Sequence, residues 1–507
     1  SNAVAVAGRR SATGQPWVAG DPHLSVGVPS VWLAASYRSP SYRVAGLMAP
    51  GVPAMMIGRN PFLAWGGTNL HAASSELFDV SELPAGAIVE TRAWLPVRWS
   101  RPREIVLRDT DYGPIVSDAP LFPGPAGKML ALRWIGHEPS DEIGALLAIN
   151  RARDAAEFRR AAESIAVPGQ NLVFADAAGH IGRVSAVSLP MRPARAPADL
   201  VSPTAAMAAW ASRSDAGDFP ADIDPPQGFV ASANDRPPDG DVPIGWLFSP
   251  RDRVERLNAL LWASERIGID GLAALQRDAA APAMLALRDR LCALLDPPSR
   301  HGPVYDALAG WDGAYEPESA GALALELVLA HLVSTTIPPH RRAIYGAVWH
   351  ARKLLTEEID RQPPPQLKAS LETALAAARP ALRRLRDWGG AHRLRLAHPL
   401  GALPLVGRRH CHIDWRWPGS NDTVLKSAHG LVWKRHAVSF GSNARYIFDL
   451  ADPDANRLVI LGGQDGAPGS AAFLDQAELF RRGEYLTVPI DPGAMAAQFR
   501  HRTVLEP

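Results

Sequence analysis

Short apolar and aromatic runs, separated by glycine, proline and asparagine, dominate the chain up to about residue 135. Runs of this length that are bounded by turn residues are typical of strands rather than helices. They read VWLAASY, AMMIG, FLAWGG, AIVETRAWLPV and REIVLRD. This part of the chain is therefore predicted to consist mostly of strands and turns.

The pattern then changes to a helix followed by a hairpin. ARDAAEFRRAAESIA predicts a helix, because Asp154 can cap its first turn and Glu157 stands at the spacing of a capping box. NLVFADAAGHIGRVSAV has two strand-like halves around a turn with glycine and predicts a hairpin. The proline-rich stretch from roughly 189 to 245 is loop-like by composition.

Helical periodicity extends from about residue 251 to 390. Apolar residues recur at helical spacing in two segments, first at Val254, Leu257, Leu260 and Leu261 and later at Leu367, Leu371 and Leu375. Pro380 predicts a break or kink in the second segment. A strand-like pattern returns near residue 430 and continues through YIFDLAD and RLVILGG.

Strands at both ends of the chain thus enclose a helical region, and no internal repeat is visible. This order favours one α+β unit closed by its termini over a series of separate domains. We expect residues 1–250 to form the first part of the core, 251–395 a mainly helical insertion, and 396–507 the strands that complete the core.

Composition narrows the class of protein. The 507 residues are 47% apolar, and 53 Lys and Arg against 52 Asp and Glu leave a net charge of +1. This balance argues against a nucleic acid or an anionic membrane as a partner. The longest apolar run, Ala320 to Val333, contains Glu326 and His331 and is shorter than the ~20 residues of a membrane span, so it predicts a buried helix.

Two cysteines, Cys292 and Cys411, are too few for a disulfide framework. Cys411 lies between His410 and His412, which raises the question of a metal site. In a strand the two histidines would share one face and the cysteine would lie on the other. Since no second Cys/His pair stands at zinc spacing, we predict no metal ligands here.

The common catalytic signatures G-x-S-x-G, H-E-x-x-H, G-x-x-x-x-G-K-[ST] and G-x-G-x-x-G do not occur in the sequence. The first residue offers another chemistry. Ser1-Asn2-Ala3 is either the remnant of a cleaved tag or a mature N-terminus. In the second case the α-amine, whose ordinary pKa is about 7.7–8.0, could act as general base for the Ser1 hydroxyl. The lack of an initiator Met suits such a processed chain.

A family resemblance bears on this choice. SNAVAVAGRRSATGQPWVAGDPHL resembles the β-chain start of the penicillin amidase family of N-terminal nucleophile hydrolases. There, Ser-Asn is followed by a strand, a small turn, S/T-A-(T/D)-G-(K/Q), a second strand and (N/G)-(D/G)-P-(H/Q). A tag remnant explains three residues but not the register that continues from Val4 to Leu24. FLAWGGTN, ASANDRP, DRVERL and the C-terminal LVILGGQDGAPGS also resemble family segments.

The resemblance implies a set of catalytic residues. Ser1 would be the nucleophile, and the backbone N–H of Asn69 and the side-chain amide of Asn234 would hold the oxyanion. Arg253 would position Asn234 and the amine, and His23 would orient Ser1. Three of these residues have a plainer alternative: a turn for Asn234, a turn cap for His23 and a solvated surface charge for Arg253.

The same resemblance indicates an acyl pocket lined by Leu24, Met56, Ile57, Gly67 and Ile181. All five are apolar or small and none is aromatic, whereas members selective for phenylacetyl groups present phenylalanines to the ring. Aliphatic walls with a flexible Met suit a linear chain. We therefore expect medium-chain aliphatic amides, such as N-acyl-homoserine lactones, to be cleaved better than phenylacetyl β-lactams.

The family's fold is a four-layer α/β/β/α sandwich, here with an inserted helical region. The implied protein is an amidohydrolase that cuts itself out of a precursor, keeps a smaller α chain as partner, lies in the periplasm and requires no cofactor. Some members bind a structural calcium through Asp-x-x-Asp. In HAASSELFD those places hold Ala73 and Glu76, and the loss of one carboxylate removes much of the charge that a calcium site needs. The alternative is a catalytically silent member that serves as a binding or scaffold protein.

Overall fold

Two stacked antiparallel sheets form the centre of the structure, a computed structural model that describes residues 1–119, 122, 127–193, 199–343, 345, 351–405, 407–499 and 501–504. Strands and helices are numbered in chain order. The six-stranded sheet has the order β19 (Phe229–Ser232), β1 (Asn2–Val6), β2 (Trp17–Asp21), β24 (Ala444–Asp449), β25 (Arg457–Ile460), β26 (Leu486–Thr487). The seven-stranded sheet has the order β18 (Asp222–Ile223), β14 (Ile181–Ala186), β13 (Gln170–Asp176), β7 (Leu63–Asn69), β6 (Ile57–Arg59), β5 (Arg43–Met48), β4 (Leu33–Arg38).

Small apolar residues let the two sheets approach each other. Ala3, Ala5 and Val18 of the first sheet pack against Ala64, Val173 and Ala175 of the second, all almost fully buried.

Among these small residues lies the larger side chain of Tyr446 from β24, which is also buried. A Cβ added to Gly20 would lie 2.4 Å from the Tyr446 hydroxyl oxygen, and one added to Gly66 would lie 2.0 Å from it. These two glycines, one in each sheet, therefore make room for one tyrosine.

Helices cover the outer faces of both sheets. On the seven-stranded sheet, Phe158 of α2 (Ala155–Glu163) packs against Phe174, with ring centroids 4.7 Å apart, and α1 (Glu142–Arg151) contributes to the same cluster. On the six-stranded sheet, α3 (Asp252–Ala263) and α4 (Ile269–Leu275) bury leucines against β1 and β2. The expected four-layer α/β/β/α arrangement is confirmed.

Local signals around α2 and the hairpin agree with the sequence. The Asp154 carboxylate accepts the N–H of Glu157 at 2.8 Å, and the Glu157 carboxylate accepts the N–H of Arg153 at 2.8 Å. β13 and β14 pair directly from Asn171 opposite Ser185 to Ala175 opposite Ile181. Both predictions are confirmed.

The region after residue 250 is mainly helical. Its further helices are α5 (Pro282–Ala293), α6 (Pro303–Ala309), α7 (Ala320–Thr336), α8 (Pro339–Arg342), α9 (Ala351–Asp360), α10 (Pro364–Leu385) and α11 (Trp388–Ala391), followed near the C-terminus by α12 (Ala477–Arg482) and α13 (Pro492–Gln498). α7 is buried along most of its length, as its apolar run predicts. α10 continues through Pro380 to Leu385, so the expected break does not occur. Among the described residues no helix is long and apolar enough to span a membrane.

The remaining strands form small sheets around this core. They are β3 (His23–Ser25), β8 (Ser75–Asp79), β9 (Val89–Leu95), β10 (Arg103–Thr110), β11 (Gly113–Pro114), β12 (Leu130–Trp134), β15 (Leu189–Pro190), β16 (Val201–Ser202), β17 (Arg213–Ser214), β20 (His392–Ala397), β21 (Cys411–Arg416), β22 (His436–Ala437) and β23 (Phe440–Ser442). The stretch 189–245 is thus not all loop. It contains β19, whose four residues are too short a run to predict from sequence, and which forms the edge of the six-stranded sheet beside β1. The division of the chain at residues 250 and 395 stays a prediction.

Candidate active site

Ser1 stands immediately before β1, a strand flanked on both sides by β19 and β2. Its α-amine donates a hydrogen bond to the side-chain oxygen of Asn234 at 2.8 Å. Its hydroxyl oxygen accepts the backbone N–H of His23 at 3.2 Å. Two contacts from elsewhere in the sequence therefore orient the amine and the hydroxyl of one residue.

Asn234 lies just beyond the end of β19 in the left-handed region, with φ +63°. Neighbouring residues hold this conformation. The Asp235 carboxylate accepts the N–H of Ala233 at 2.9 Å and pairs with Arg183 at 3.0 Å, both side chains being buried. Backbone strain of this kind persists where surrounding contacts over-determine it.

The amide of Asn234 also faces the second sheet. Its nitrogen donates to the carbonyl oxygen of Asn69 at 2.8 Å, which uses one of its two hydrogens. The Leu70 N–H donates to Gly169 in the β13 direction, so the N–H of the preceding Asn69 points to the other side of β7. On that side of β7 the neighbouring strand is β6, which pairs with β7 at Ala64 and Trp65. The Asn69 N–H thus points away from β13, and the Asn234 amide has a second hydrogen besides the one that it donates to the Asn69 carbonyl oxygen.

Arg253, in the first turn of α3, connects these groups. Its guanidinium donates to the carbonyl oxygen of Ser1 at 2.9 Å, to the Asn2 side-chain oxygen at 2.7 Å and to the Asn234 side-chain oxygen at 3.1 Å. A further bond goes to the carbonyl oxygen of Ala233 at 2.6 Å. Arg253 is buried rather than a solvated surface charge.

The side chain of His23 points to a different partner. Its Nε2 lies 2.9 Å from the carboxylate of Asp21, and both side chains are fully buried. His23 therefore contacts Ser1 through its backbone N–H, not through the imidazole as a side-chain role would require.

Charges around Ser1 act on the amine. Burial, followed by the positive charge of Arg253, lowers the pKa of the Ser1 amine well below its ordinary value of 8.0, while the charge of Asp21 opposes this shift. Burial raises the pKa of Asp21 to about 6, although the Ser1 amine and a hydrogen bond from Asn2 work in the other direction. The arrangement favours an unprotonated amine near neutral pH.

A family model described as penicillin amidase matches residues 1–497. The chain belongs to the penicillin amidase family. The resemblance seen in the sequence is thereby confirmed.

Relatives within the family carry two kinds of name. Penicillin acylase 2 proenzyme from Pseudomonas sp. (strain SE83) is 29% identical over 94% of this chain and 65% of its own length. Acyl-homoserine lactone acylase QuiP from Pseudomonas aeruginosa is 29% identical over 97% of this chain and 67% of its own length. The chain therefore spans about two thirds of the length of these curated relatives.

A solved structure of thermostable penicillin G acylase from Alcaligenes faecalis has the same fold. It superimposes with a TM-score of 0.75 at 17% identity and covers 100% of this chain and 99% of that one.

The five residues that the penicillin amidase resemblance assigned to an acyl pocket have different surroundings. Leu24 and Met56 are 39% and 38% exposed. Ile57 is buried between the sheets. Gly67 is half-buried, and an added Cβ would lie 2.7 Å from the Asn171 carbonyl oxygen, so close strand packing already accounts for this glycine.

Ile181 does not lie at the site. It is 1% exposed and packs between the sheets. It pairs with Ala175, which pairs with Ala64, five residues before Asn69 on β7. At about 3.3 Å per residue this places it roughly 16 Å along the strands from Asn69. The sequence predicts the hairpin but not which of its residues lies beside Ser1.

Several site residues were missed by the sequence analysis. Asn2 donates to the Asp21 carboxylate at 2.9 Å and to the Val424 carbonyl oxygen at 2.8 Å. Lys426 is buried close enough for its charge to lower the pKa of the amine, although less than burial and Arg253 do. Asn2 and Asp21 stand inside quoted motifs and could have been singled out, whereas no local signal marks Lys426.

The His410-Cys411-His412 segment precedes and begins β21. In the described part of the chain, no cluster of three or more His, Cys, Asp or Glu side chains is arranged to hold a metal ion.

Proposed function

We propose that this chain carries the nucleophile of an amidohydrolase that cleaves the bond between a hydrophobic acyl group and a polar amine. The observation that carries the proposal is the geometry of Ser1, whose amine and hydroxyl are held by Asn234 and by the His23 backbone at 2.8 and 3.2 Å. An N-terminal serine with its amine unprotonated combines nucleophile and general base in one residue.

In the proposed reaction, Ser1 Oγ attacks the amide carbonyl and the Ser1 amine takes the hydroxyl proton through a water molecule. The tetrahedral intermediate collapses to an acyl-enzyme when the amine product leaves with that proton. A second water, deprotonated by the same amine, then releases the acid and restores the hydroxyl.

The developing oxyanion needs donors that are already in place. The Asn69 N–H and the second amide hydrogen of Asn234 fill this role. Asn234 cannot turn its amide over without losing its bond to the Asn69 carbonyl and its acceptance of two donors, Ser1 and Arg253. Arg253 is thus a positioning residue for the oxyanion hole and for the amine.

We further propose aliphatic acyl amides, including N-acyl-homoserine lactones, as the preferred substrates. This preference is supported by Leu24, which follows the residue whose N–H contacts Ser1 Oγ and presents an aliphatic side chain that is 39% exposed. Each buried CH₂ of a linear chain would contribute about 0.8 kcal/mol. A higher kcat/KM for phenylacetyl amides than for every aliphatic chain tested would contradict this preference.

The partner we propose is a second chain released from the same precursor, retained in a periplasmic heterodimer. One relative is named a proenzyme, and the chain spans about two thirds of its length. The exposed side chains of Leu200 and Leu247 and the half-buried Trp246 border a groove of about 1000 Å³, which His71, two residues after Asn69, also lines. A partner chain would find apolar surface there.

Labelling with a serine-directed sulfonyl fluoride tests the proposal. We expect the N-terminal peptide of the processed protein to gain the sulfonyl mass on Ser1, and turnover of an aliphatic amide to stop in proportion. Ser1→Ala should abolish both. Ser25→Ala, an exposed serine two residues from His23, should retain both. Full turnover in a processed Ser1→Ala protein would exclude the mechanism.

A further inference from the structure

A buried arginine occupies the region where the family resemblance suggested a calcium ion. Arg192 comes from the segment after β15 and reaches the Ala73–Glu76 stretch at the start of β8. Its guanidinium contacts the carbonyl oxygen of Ala73, the carbonyl oxygen of Ser75 at 3.4 Å and the Glu76 carboxylate at 2.9 and 3.1 Å. The side chains of Arg192 and Glu76 are only 8% and 12% exposed.

The remaining contacts of Glu76 complete its hydrogen bonding. Trp210 donates its indole N–H to the oxygen that Arg192 contacts, at 2.8 Å. Ser202 donates its hydroxyl to the other oxygen at 2.5 Å. The carboxylate therefore accepts four hydrogen bonds, about as many as its lone pairs allow.

Aromatic rings enclose the same guanidinium. Its central carbon lies 5.5 Å from the ring centroid of Trp210 and 5.9 Å from that of Trp246. Both distances suit a cation–π contact. The cation thus has carbonyl and carboxylate oxygens at its N–H groups and two aromatic rings beside it.

These residues do not fit a calcium ion. Calcium takes six to eight oxygen ligands at about 2.3–2.6 Å, with carboxylates supplying most of the charge. Here the guanidinium contacts one carboxylate and two carbonyls of the stretch, and Ala73 contributes no side-chain oxygen. All three groups are already bound to a guanidinium whose charge and five N–H donors satisfy them.

We propose that Arg192 takes the structural place of a divalent cation, so that the segment after Asn69 is held without calcium. The guanidinium joins β8 to the segment that follows β15, and Ser202 and Trp210 add two later parts of the 189–245 stretch to the same carboxylate. The Arg192–Glu76 pair thus links the 189–245 stretch to β8, the strand that follows Asn69. This proposal rests on the fold alone and does not depend on the proposed activity.

Thermal unfolding of the processed protein tests it, with the midpoint Tm measured at one scan rate. We expect the same Tm after dialysis against EDTA and after addition of millimolar CaCl₂. Arg192→Met should lower Tm by at least about 3 °C, because it leaves Glu76 buried without its cation. Arg192→Lys keeps the charge but loses the planar fork, so its Tm should lie between those of the wild type and Arg192→Met.

Restoring the family's carboxylate provides the opposite variant. In Ala73→Asp/Arg192→Met, two carboxylates would face one another without a cation, and CaCl₂ should raise Tm. In Ala73→Asp alone the guanidinium remains, and CaCl₂ should change nothing. Arg256 of α3 forms an ion pair with Asp278, so Arg256→Met controls for the loss of a paired arginine and its Tm should also be unaffected by calcium.

Three results would overturn the proposal. The first is a wild-type protein that loses stability with EDTA and regains it with CaCl₂. The second is an Arg192→Met protein with unchanged Tm. The third is an equal response to calcium, or equal indifference, in Ala73→Asp and Ala73→Asp/Arg192→Met.

Discussion

Two buried arginines, Arg253 beside Ser1 and Arg352 in the helical region, are surrounded in opposite ways. Arg352 pairs with the Glu326 carboxylate, which also accepts the Tyr315 hydroxyl at 2.7 Å. The hydrogen bonds of Arg253 go to uncharged oxygens: two carbonyls, two asparagine amides and the hydroxyl of Ser249. Both side chains are hydrogen-bonded, but only one of the two charges is neutralised by direct contact.

The difference shows in the effect on nearby groups. Although burial alone would lower it, the charge of Glu326 raises the pKa of Arg352 above its ordinary value. Burial lowers the pKa of Arg253, and its charge in turn helps to lower the pKa of the Ser1 amine. Arg352 is thus paired with a carboxylate inside the helical region, whereas Arg253, which no carboxylate contacts among the described residues, helps to lower the pKa of its neighbour. The comparison indicates that the positive charge of Arg253 acts on the Ser1 amine.

Breaking the paired arginine should have the largest effect. Arg352→Met leaves the Glu326 carboxylate buried without its partner, which typically costs about 3–5 kcal/mol. We expect the free energy of unfolding, measured by denaturant titration, to fall by this amount while activity per folded molecule stays constant. Glu326→Gln/Arg352→Met removes both charges and should recover much of the loss. A specific activity that falls with Arg352→Met would place Arg352 in the functional network.

The next largest effect is expected for Asn234, the residue that Arg253 positions. Asn234→Ala removes one preorganised oxyanion donor and should lower kcat by roughly 10²–10³. Asn69→Ala is the matched control, because the donor there is a backbone N–H that the substitution keeps. A larger loss from Asn69→Ala than from Asn234→Ala would reverse the assignment of the two donors.

The charge difference itself can be measured by pH dependence. The acid limb of kcat/KM reports the pKa of the free enzyme's base. Since the pKa of the Ser1 amine is lowered, activity should persist well below pH 8.0 and fall as the amine becomes protonated at lower pH. Arg253→Met removes a charge that lowers this pKa, so the limb should move to higher pH. Arg253→Lys should keep it close to its original position.

Asp21→Asn should move the acid limb the other way, because the Asp21 charge raises the pKa of the amine. The two substitutions give opposite signs for one amine. A limb that stays in place in both variants would mean that another group is the base.

The smallest effect is expected for His23→Gln. The imidazole contacts Asp21, while the backbone N–H that holds Ser1 Oγ is kept. The loss of one side-chain hydrogen bond should lower kcat less than about tenfold and leave the acid limb unmoved. Disappearance of the acid limb would instead identify the imidazole as the base.

Local signals in the sequence predict local structure well here. The capping box of Asp154 and Glu157 and the hairpin around Gly179 depend on residues a few positions apart, and both form as expected. Most of the candidate site depends on contacts over long separations. Ser1 and Asn234 are 233 positions apart, and Ser1 and Arg253 are 252 apart. Only the family resemblance brought these residues together before the structure did.

The differences between the sequence-based expectations and the structure have physical causes of the same kind. Ile181 belongs to the hairpin, but the register of two sheets decides how far along it lies from Ser1. The imidazole of His23 turns to Asp21, a choice that burial of both side chains makes favourable and that no motif reveals. Arg192 follows a short strand in a proline-rich stretch and carries no sign that its partner is Glu76, 116 residues earlier.

The packing of Tyr446 against Gly20 and Gly66 has a consequence for directed evolution. Ser1 immediately precedes a strand of one sheet, and Asn69 ends a strand of the other. Tyr446 packs between the two sheets and therefore helps to set the distance between them. A mutant library that randomises every position around Ser1 would spend members at Gly20 and Gly66, where any side chain collides with that ring. Leu24 and Met56 are exposed, so substitutions there leave the spacing between the sheets unchanged. New acyl specificities should therefore be sought at Leu24 and Met56, with Gly20, Gly66 and Tyr446 held constant.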